Sequence, residues 1–459
     1  MTADLVIIGA GPAGMAAARI AADGGMRVTL LDEQDRVGGQ IYRNVANATG
    51  RDWLGADYAK GADLVRGLDH PLIAYEPRAM VWRLDPQQGV IWSRDGQSHI
   101  THAPHLLIAT GAQERPVPFP GWTLPGVMPV GAAQILMKQS GMLPRDAILA
   151  GAGPLLYLVA AQMIAAGSPP QALVETGSDL LRALPRLPQA MPGAMTLVKG
   201  LGLIQRIRAA GIPRHHSATN FRAVQTDEGR ITFSFTTRKG GQELECGLLL
   251  THLGVIPQTH LTRSMGLEHE YDPAQQAWRP KLDALGQSSL DHVFVAGDGG
   301  GIGGADVARA QGALAALAIL HRAGLMNRAE RDARARPQQR ALSRSLSVRP
   351  FLDAAYPVPP AFLAPPDDTI VCRCEEVTAR TIREAAEDGA HGLRLMRTAL
   401  RTGMGPCQGR MCEVTVTGLI AQATGRHPST IGPGRVRTPV KPVTLAEIAA
   451  LGRQPEKPV

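Results

Sequence analysis

The sequence is poor in aromatic residues, poor in cysteine and without long apolar runs. Phe, Trp and Tyr make up 4% of the 459 residues, so few side chains are available for stacking on nucleic-acid bases. No apolar run reaches the roughly 18 residues that span a bilayer, and we expect no transmembrane segment. Five cysteines are too few for a secreted disulfide scaffold, and strand-like residues begin at Asp4. We therefore expect a cytoplasmic protein without a secretory leader.

Acidic residues are fewer than basic residues. Forty Asp and Glu stand against 48 Lys and Arg, which gives a net charge of +8, and much of the excess is Arg within residues 321–349. Charge alone would permit nucleic-acid binding, but no reading motif accompanies this basic run. We expect no nucleic-acid partner, and we interpret the run as a solvated helix face or a docking surface for an acidic partner.

A dinucleotide-binding motif opens the chain. Residues 4–8 form an apolar run that predicts a buried parallel strand, and three glycines follow at the spacing of a pyrophosphate-binding turn. Asp32 ends the next predicted strand, where a carboxylate can accept hydrogen bonds from ribose hydroxyls. The predicted nucleotide contacts of this unit are Gly9, Gly11, Pro12, Ala13, Gly14, Asp32 and Glu33.

Four of the five cysteines lie close together near the C-terminus, as a C-x-C pair and a C-x4-C pair. Four thiolates are the ligand set of an iron–sulfur cluster or of a structural zinc. Zinc sites favour two C-x2–4-C pairs, so the C-x-C spacing favours a cluster, with zinc as the alternative. The predicted metal ligands are Cys372, Cys374, Cys407 and Cys412.

A second strand–glycine–helix unit begins at residue 147, but it departs from the motif. Gly151 and Gly153 repeat the first two glycines, whereas Leu156 stands where the third is expected. A leucine there pushes the helix away from the strand and narrows the approach of a phosphate. Glu175 could still bind a ribose. We interpret this unit as a scaffold, with NAD(P)H binding as the alternative.

Candidate catalytic residues are scarce in the rest of the chain. No cysteine pair accompanies either nucleotide motif, which argues against disulfide-reductase chemistry. Cys246 lies alone and is interpreted as a small buried hydrophobe, and His252 as a structural side chain. We assign no catalytic residue.

Three later segments resemble the glutathione-reductase-like flavoproteins, which have two dinucleotide domains. They are residues 36–42, 106–111 and 293–299. The resemblance covers residues 1–320 and implies FAD in the first site, with ATP or NAD in the same groove as the alternative. In that class, the residue matching Asp298 binds the ribityl–pyrophosphate region. The further contacts implied are Gly39, Gln40, Val81, Thr110, Gly111, Gly297, Asp298, Gly304 and Ala305.

The cysteine segment resembles the bacterioferritin-associated-ferredoxin-like [2Fe–2S] domain. It departs from that family at the closing pair, which is C-x4-C here and often C-x2-C there. The implied fold class is α/β: a glutathione-reductase-like flavoprotein with two dinucleotide-binding domains and a small C-terminal [2Fe–2S] domain.

The FAD fold, the segments CRCE and GMGPCQGRMC and the run RVRTPVKPVTLAEIA together resemble one known group. This group is the α subunit of heteromeric amine and imino-acid dehydrogenases, of the hydrogen cyanide synthase, octopine and nopaline oxidase and D-hydroxyproline dehydrogenase type. In that group, a D-amino-acid-oxidase-like β subunit oxidises the substrate. A second flavin, often FMN, lies at the boundary between the subunits, and the α subunit relays electrons. The resemblance implies a hetero-oligomer, in which a small γ subunit is a further partner.

The domain organisation predicted from these features has five parts. They are an FAD-binding domain at residues 1–112 and 255–326, a middle domain at 113–254, a linker at 327–366, the [2Fe–2S] domain at 367–430 and an extended tail at 431–459. The predicted function is to relay electrons within a flavin-dependent enzyme that oxidises an amino-acid, imino-acid or opine C–N bond. Two alternatives are a self-sufficient NAD(P)H:acceptor oxidoreductase and a scaffold with a structural zinc.

Overall fold

Two five-stranded parallel sheets form the body of the protein in the computed structural model, which describes residues 3–85, 89–177 and 179–451. The strand Leu5–Ile8 is fully buried, as expected for an apolar strand covered on both faces. It lies at the centre of the first sheet, whose strands in spatial order are Val293–Val295, His105–Ile108, Leu5–Ile8, Val28–Leu31 and Ile73–Glu76.

The second sheet repeats this architecture in the middle of the chain. Its central strand, Ala147–Ala152, is also buried throughout. In spatial order the strands are Arg214–His215, Ala172–Glu175, Ala147–Ala152, Leu248–Leu253 and Val127–Pro129. In both sheets the central strand leads through a glycine turn into a helix. The predicted α/β class with two dinucleotide-binding folds is therefore confirmed.

Antiparallel strands accompany both parallel sheets. Two three-stranded sheets are formed by Met80–Asp85, Gly89–Arg94 and Gln97–Thr101, and by Thr219–Gln225, Ile231–Thr237 and Gly240–Cys246. Three pairs are formed by Ala112–Glu114 with Val255–Pro257, His269–Asp272 with Ala277–Pro280, and Ile370–Cys372 with Val377–Thr378. At the first pair the chain crosses from one nucleotide fold to the other and returns.

Helices cover the sheets and make up most of the C-terminal part. Their bounds are Pro12–Asp23, Ala56–Ala59, Gly61–Arg66, Val130–Ser140, Pro154–Ala165, Leu180–Ala183, Leu187–Ala190, Ala194–Ala209, His260–Ser264, Ala305–Arg322, Arg328–Leu346, Arg349–Ala355, Pro360–Leu363, Ala379–Glu387, Leu393–Leu400, Glu413–Thr424, Pro428–Ile431 and Leu445–Leu451.

Two alanine-rich helices, Pro12–Asp23 and Ala305–Arg322, pack closely against each other beside the first sheet. The contact depends on Gly312, because a Cβ atom at this position would overlap the carbonyl oxygen of Ala13. The small side chains therefore set the distance between these two helices, which begin directly after the first glycine turn and after the glycine-rich loop at residues 297–304.

The Arg- and Pro-rich stretch predicted as a linker is built mainly of helices. The helix Arg328–Leu346 begins at Asn327, whose side chain accepts a hydrogen bond from the backbone N–H of Glu330 (2.9 Å). The helix propensity of its Arg, Ala and Gln residues outweighs the unfavourable propensity of Pro337 within it. Most of its arginines are exposed, as predicted for a solvated helix face.

The four-cysteine segment has an apolar core of its own and docks on the first nucleotide fold. Thr378 caps the helix Ala379–Glu387 by accepting a hydrogen bond from a backbone N–H, as the sequence predicts. Docking buries an ion pair between Arg263 and Glu413, with a nitrogen–oxygen distance of 2.9 Å and side chains 7% and 14% exposed. Buried pairs of this kind are costly to break, so they fix the interface.

The tail returns to the first nucleotide fold. Val436 and Val440 are buried against that fold, and the backbone N–H of Val440 donates to the carbonyl oxygen of Trp82 (2.9 Å). The segment then ends in the helix Leu445–Leu451, which was not predicted. Residues 452–459 of the predicted tail lie outside the described residues.

We expect Gly312→Ala to lower the melting temperature, because the added methyl group would force the two alanine-rich helices apart at a cost of about 1–3 kcal/mol. Gly200→Ala is the matched control, since a Cβ at this helical position meets no atom within 4 Å. The control should gain up to ~1 kcal/mol of stability from helix propensity. Thermal unfolding followed by circular dichroism would measure both, and equal melting temperatures would contradict the close packing.

Candidate functional site

The first glycine turn and the helix after it form one wall of a large cavity. Gly14 lies behind the turn, and a Cβ atom there would overlap the carbonyl oxygen of Gly9. The helix Pro12–Asp23 therefore packs on the turn at a distance that only glycine permits. Its unpaired N–H groups and the positive end of its dipole favour a phosphate at this position.

Asp32 lies inside the cavity at the end of the second strand and is 8% exposed. One carboxylate oxygen accepts a hydrogen bond from the backbone N–H of Ala10 (2.5 Å), and the other accepts one from that of Gln34 (2.8 Å). Burial raises the pKa of Asp32. Each oxygen retains a second lone pair, so the carboxylate can still accept hydrogen bonds from ribose hydroxyls.

Asp298 occupies the corresponding place after the strand Val293–Val295. Its Oδ1 atom accepts hydrogen bonds from the backbone N–H groups of Gly303 and Gly304, both at 2.9 Å. These bonds fix the glycine loop at the start of the helix Ala305–Arg322, beside the cavity.

The cavity has a volume of about 790 Å³, which lies in the range of small-molecule sites. All predicted nucleotide contacts except Gly14 and Ala305 line it: Gly9, Gly11, Pro12, Ala13, Asp32, Glu33, Gly39, Gln40, Val81, Thr110, Gly111, Gly297, Asp298 and Gly304. Two glycine loops, two helix starts and two carboxylates meet in one cavity. This is the chemistry of an extended dinucleotide site, so the residues present fit FAD.

Several cations also line the cavity, among them Arg43, Lys138 and Lys441. Lys138 is 4% exposed, and its Nζ atom donates to Gln134 Oε1 (2.8 Å) and to the carbonyl oxygen of Gln40 (3.1 Å). Burial and, to a smaller extent, the charge of Arg43 together lower the pKa of Lys138 to about 7. Sequence reasoning missed Lys138, because a single lysine in a helix carries no local signal of such a role.

The C-terminal tail closes the cavity next to Asp32. Val440 and Lys441 line it, and Lys441 forms an ion pair with Glu33. The carbonyl oxygen of Val440 accepts a hydrogen bond from Arg410 Nη2 (3.0 Å). The tail thus connects the ribose end of the site to the cysteine segment.

The second glycine turn lacks a free ribose-binding carboxylate. Leu156 is fully buried where the motif has glycine. Oε1 of Glu175 accepts hydrogen bonds from the hydroxyl of Tyr157 (2.6 Å) and from Arg214 Nη2 (2.7 Å), and Oε2 accepts one from Arg214 Nε (3.0 Å) and lies 3.0 Å from His216 Nδ1. Each oxygen therefore has two partners, whereas each oxygen of Asp32 has one. These contacts favour a scaffold role for this unit.

Residues 349–358 lie against this second turn. Tyr356 lines the cavity together with Gly153, and its ring centroid lies 6.2 Å from that of Tyr157. The part of the cavity next to the second turn is therefore bordered by this segment.

His252 and Cys246, the two residues interpreted as structural, are both buried. The Nδ1 atom of His252 lies 2.5 Å from Glu114 Oε1, and the other oxygen of Glu114 accepts the backbone N–H of Gly131 (2.7 Å). His252 thus joins the second sheet to the crossing strand and to the helix Val130–Ser140. Burial raises the pKa of the Cys246 thiol to about 11, which keeps it unreactive.

The four C-terminal cysteines form two contacting pairs. A hydrogen bond with the Cys412 thiol lowers the pKa of Cys372 to about 6 and raises the pKa of Cys412 well above its usual value. Cys374 and Cys407 are likewise hydrogen-bonded through their thiols. Cys372 and Cys412 are buried, whereas Cys374 is exposed.

Backbone N–H groups also point at these sulfur atoms. Those of Gly403 and Glu375 donate to Cys372, and that of Cys407 donates to Cys374. Across the described ranges, no group of three or more His, Cys, Asp or Glu side chains is arranged around a single ion. The thiols stand as two contacting pairs, and four thiols with N–H donors are a donor set that fits an iron–sulfur cluster.

The Cys407–Cys412 loop forms part of the cavity wall. Arg410 lines the cavity, and its carbonyl oxygen accepts a hydrogen bond from Gln113 Nε2 (2.8 Å). The Nε2 atom of His260 donates to the carbonyl oxygen of Gln408 (3.0 Å). Gln113 and Arg410 lie 297 residues apart in the chain, and His260 and Gln408 lie 148 residues apart, so no local pattern could have predicted these contacts.

Comparisons with known proteins identify the family to which this fold belongs. A family model described as pyridine nucleotide-disulphide oxidoreductase matches residues 3–312, and one described as sarcosine oxidase A3 domain matches residues 367–452. The opine oxidase A subunit of Rhizobium meliloti is 42% identical over 98% of this chain and 87% of its own length. The chain belongs to the opine oxidase A family. Hydrogen cyanide synthase subunit HcnB of Pseudomonas protegens is 33% identical over 97% of both chains.

Two solved structures share the fold of this opine oxidase A family member over different lengths of the chain. L-proline dehydrogenase from P. horikoshii aligns over 98% of this chain and 79% of its own, with a TM-score of 0.72 and 19% identity. Thioredoxin reductase from T. acidophilum aligns over 70% of this chain and 99% of its own, with a TM-score of 0.51 and 19% identity. The predicted flavoprotein fold and family are thus confirmed. Among the described helices, none is long and apolar enough to cross a bilayer.

We expect Lys138→Met to flatten the dependence of stability on pH. The folded-state pKa of Lys138 is lowered to about 7, so above that pH the unfolded chain binds more protons and stability rises with pH. Chemical unfolding at pH 7 and pH 9 should show a smaller gain for Lys138→Met than for the wild type. Lys239→Met, at an exposed lysine, should keep the wild-type gain. Equal gains in all three proteins would contradict the buried, pKa-shifted lysine.

Proposed function

We propose that this chain is the electron-transferring subunit of a heteromeric, flavin-dependent enzyme that oxidises the C–N bond of an amino acid, imino acid or opine. One observation carries the proposal: the Cys407–Cys412 loop forms part of the wall of the dinucleotide cavity through Arg410. A flavin site and a set of four thiols that share a wall form a short route for electrons. The relatives named opine oxidase and hydrogen cyanide synthase indicate the substrate class.

FAD is the cofactor proposed for the large cavity. Asp32 would accept hydrogen bonds from its ribose, and the glycine turns with their helix starts would receive its pyrophosphate. The buried cations Arg43 and Lys138 would offset negative charge in the same cavity. When bound, FAD supplies the exchange between two-electron and one-electron chemistry.

A [2Fe–2S] cluster is the group proposed for Cys372, Cys374, Cys407 and Cys412. Each iron of such a cluster takes two cysteines, and the thiols already stand as two contacting pairs. The backbone N–H groups aimed at the sulfur atoms would stabilise the reduced cluster.

A D-amino-acid-oxidase-like β subunit is the proposed site of substrate oxidation, with FMN at the boundary and with a small γ subunit forming a further component. Two observations support a separate catalytic subunit. No cysteine is found among the described residues that line the cavity. The two histidines that do line it are engaged, His252 with Glu114 and His260 with Gln408.

An exposed apolar surface supports the same assembly. Eight large apolar side chains within residues 180–201 are between 39% and 82% exposed: Leu180, Leu181, Leu184, Leu187, Met191, Met195, Val198 and Leu201. Apolar surface this concentrated usually marks an interaction site. Arg182, Arg186 and Lys199 lie among these side chains, so a protein partner with an apolar patch and acidic residues would be complementary.

The proposal predicts that oxidation requires the partner. This chain, expressed alone and then together with a D-amino-acid-oxidase-like subunit, should reduce an artificial acceptor with amino acids, imino acids or opines only in the second case. Rapid turnover by the chain alone would contradict the relay. NADH mixed with the flavin-loaded chain should not bleach the flavin rapidly, because Glu175 is bonded to Tyr157 and Arg214 and Leu156 stands where the motif has glycine.

Cys407→Ser should lose iron, acid-labile sulfide and visible absorbance from the cluster, while FAD remains bound. Cys246→Ala is the matched control, because this buried cysteine lies outside the four-thiol set and should leave the iron content unchanged. Elemental analysis and absorption spectra would separate the two variants. Zinc in place of iron and sulfide in the wild type would contradict the cluster and support a structural metal.

A further inference from the structure

Lys138 reaches from the middle of the chain into the first nucleotide site. It lies in the last turn of the helix Val130–Ser140, which packs on the second sheet, and its Nζ atom donates to the carbonyl oxygen of Gln40 in the first fold (3.1 Å). Gln40 follows Gly39, where a Cβ atom would come within 2.8 Å of the Cα atom of Gly11. The amine is therefore held next to the segment that packs on the first glycine turn, where the helix start favours a phosphate.

Both hydrogen-bond acceptors of the amine are uncharged. Besides the carbonyl oxygen of Gln40, they include Oε1 of Gln134 (2.8 Å). Nε2 of Gln134 donates to Oε1 of Gln162 (2.8 Å), and Nε2 of Gln162 donates to the carbonyl oxygen of Leu54 (2.9 Å). Because a backbone carbonyl can only accept, this chain of bonds fixes both amides, and Gln134 has to present its oxygen to the lysine.

This arrangement matches the neutral form of the amine. A neutral lysine amine has two N–H hydrogens, which the two protein acceptors satisfy, whereas the ammonium form has a third donor. Lys138 is 4% exposed, and buried charges in proteins are normally paired. Among the described residues no carboxylate acts appreciably on the pKa of Lys138, and the one charge that does is that of Arg43, another cation.

The remaining polar neighbours of Lys138 do not supply a negative charge. The ring centroid of Tyr58 lies 5.9 Å from the amine, and the Tyr58 hydroxyl donates to the carbonyl oxygen of Arg43 (2.6 Å). Burial raises the pKa of Tyr58, so this side chain stays neutral near pH 8. Arg51 donates to the backbone carbonyl oxygen of Lys138. Burial and the charge of Arg43 accordingly lower the pKa of Lys138 to about 7.

We propose that Lys138 is a proton-coupled phosphate ligand: it takes up one proton from solvent when the cofactor binds, and the resulting ammonium donates its third hydrogen to a phosphate oxygen. This inference rests on the proposed FAD site and deepens it. Lys138, Gln40 and Gln134 all line the large cavity, so the amine borders the space that the cofactor would fill. A pyrophosphate brings two negative charges into this buried site, where charges interact more strongly than in water.

The affinity for the cofactor then depends on pH. Nearby phosphate charge raises the pKa of Lys138, because it favours the ammonium form. Binding is therefore strongest below pH 7, where the amine is already charged, and weakens as the pH rises above the pKa of the ligand-free protein. An arginine at this position would stay charged throughout and would bind without taking up a proton.

Calorimetric titration of the whole chain, freed of FAD, tests the proton uptake. FAD is titrated at pH 8 in HEPES and in Tris, whose different ionisation enthalpies turn the difference in heat into a proton count. The wild type should take up about 0.9 proton more than Lys138→Arg, because a free-state pKa of about 7 leaves this fraction to be gained at pH 8. Lys239→Met, at an exposed lysine, should match the wild type. Equal uptake in the wild type and Lys138→Arg would overturn the proposal.

Lys138→Met is a second variant, which removes the cation and keeps an unbranched side chain. The dissociation constant of the wild type for FAD should rise on the order of tenfold between pH 7 and pH 9. Lys138→Met should bind FAD more weakly at pH 7 and with little change up to pH 9. A wild-type pH dependence in Lys138→Met would contradict the proposed role of the amine.

ADP-ribose distinguishes a failure of this inference from a failure of the FAD site, because it carries the same pyrophosphate without a flavin. Proton uptake with ADP-ribose in a protein that does not bind FAD would refute the cofactor and support the role of Lys138. Binding of FAD without the proton uptake would support the cofactor and refute the role of Lys138. If neither molecule binds, both are overturned.

Discussion

The organisation of this protein depends on one buried interface, between the first nucleotide fold and the four-cysteine module. The Arg263–Glu413 ion pair fixes it, and the hydrogen bonds that Gln408 and Arg410 accept extend it to the wall of the large cavity. Without this interface, the glycine turns and the thiols would be two independent ligand sites. With it, any group held by the thiols lies beside any group held in the cavity. The remaining features of the fold position or close this pair of sites.

The middle of the chain shows how a nucleotide fold can persist without a free nucleotide site. The second sheet retains its parallel topology and its glycine turn. Its expected ribose ligand, Glu175, is instead bonded to Arg214 and Tyr157, and residues 349–358 border the turn. The same unit carries the exposed apolar side chains of residues 180–201. A nucleotide fold whose glutamate is bonded within the protein thus also presents an exposed apolar surface.

Local patterns predicted the parts of the molecule that local physics determines. The glycine spacing, Asp32, Asp298 and the N-cap Thr378 all depend on residues close in the chain, and the structure places them in one cavity or at the expected helix start. Lys138 and His260 escaped prediction, because the carbonyl oxygens of Gln40 and Gln408, which accept their hydrogen bonds, come from distant segments. The helix Leu445–Leu451 was missed although the sequence contains a signal for its start, the capping box T-x-x-E. In this box the hydroxyl of Thr444 accepts a hydrogen bond from the backbone N–H of Glu447. The carboxylate of Glu447 in turn accepts one from the backbone N–H of Thr444.

The return of the tail to the ribose end has a consequence for the order of assembly. Val440 and Lys441, which form the wall next to Asp32, lie more than 400 residues after it in the sequence and are therefore synthesised later. The nascent protein therefore carries the nucleotide turn long before the pocket can close. Because Arg410 bonds Val440, closure also requires a folded cysteine segment. Closure of the cavity and folding of the cysteine segment are thereby linked in time, and a chain that stops short of the tail would leave the Asp32 end of the cavity open to solvent.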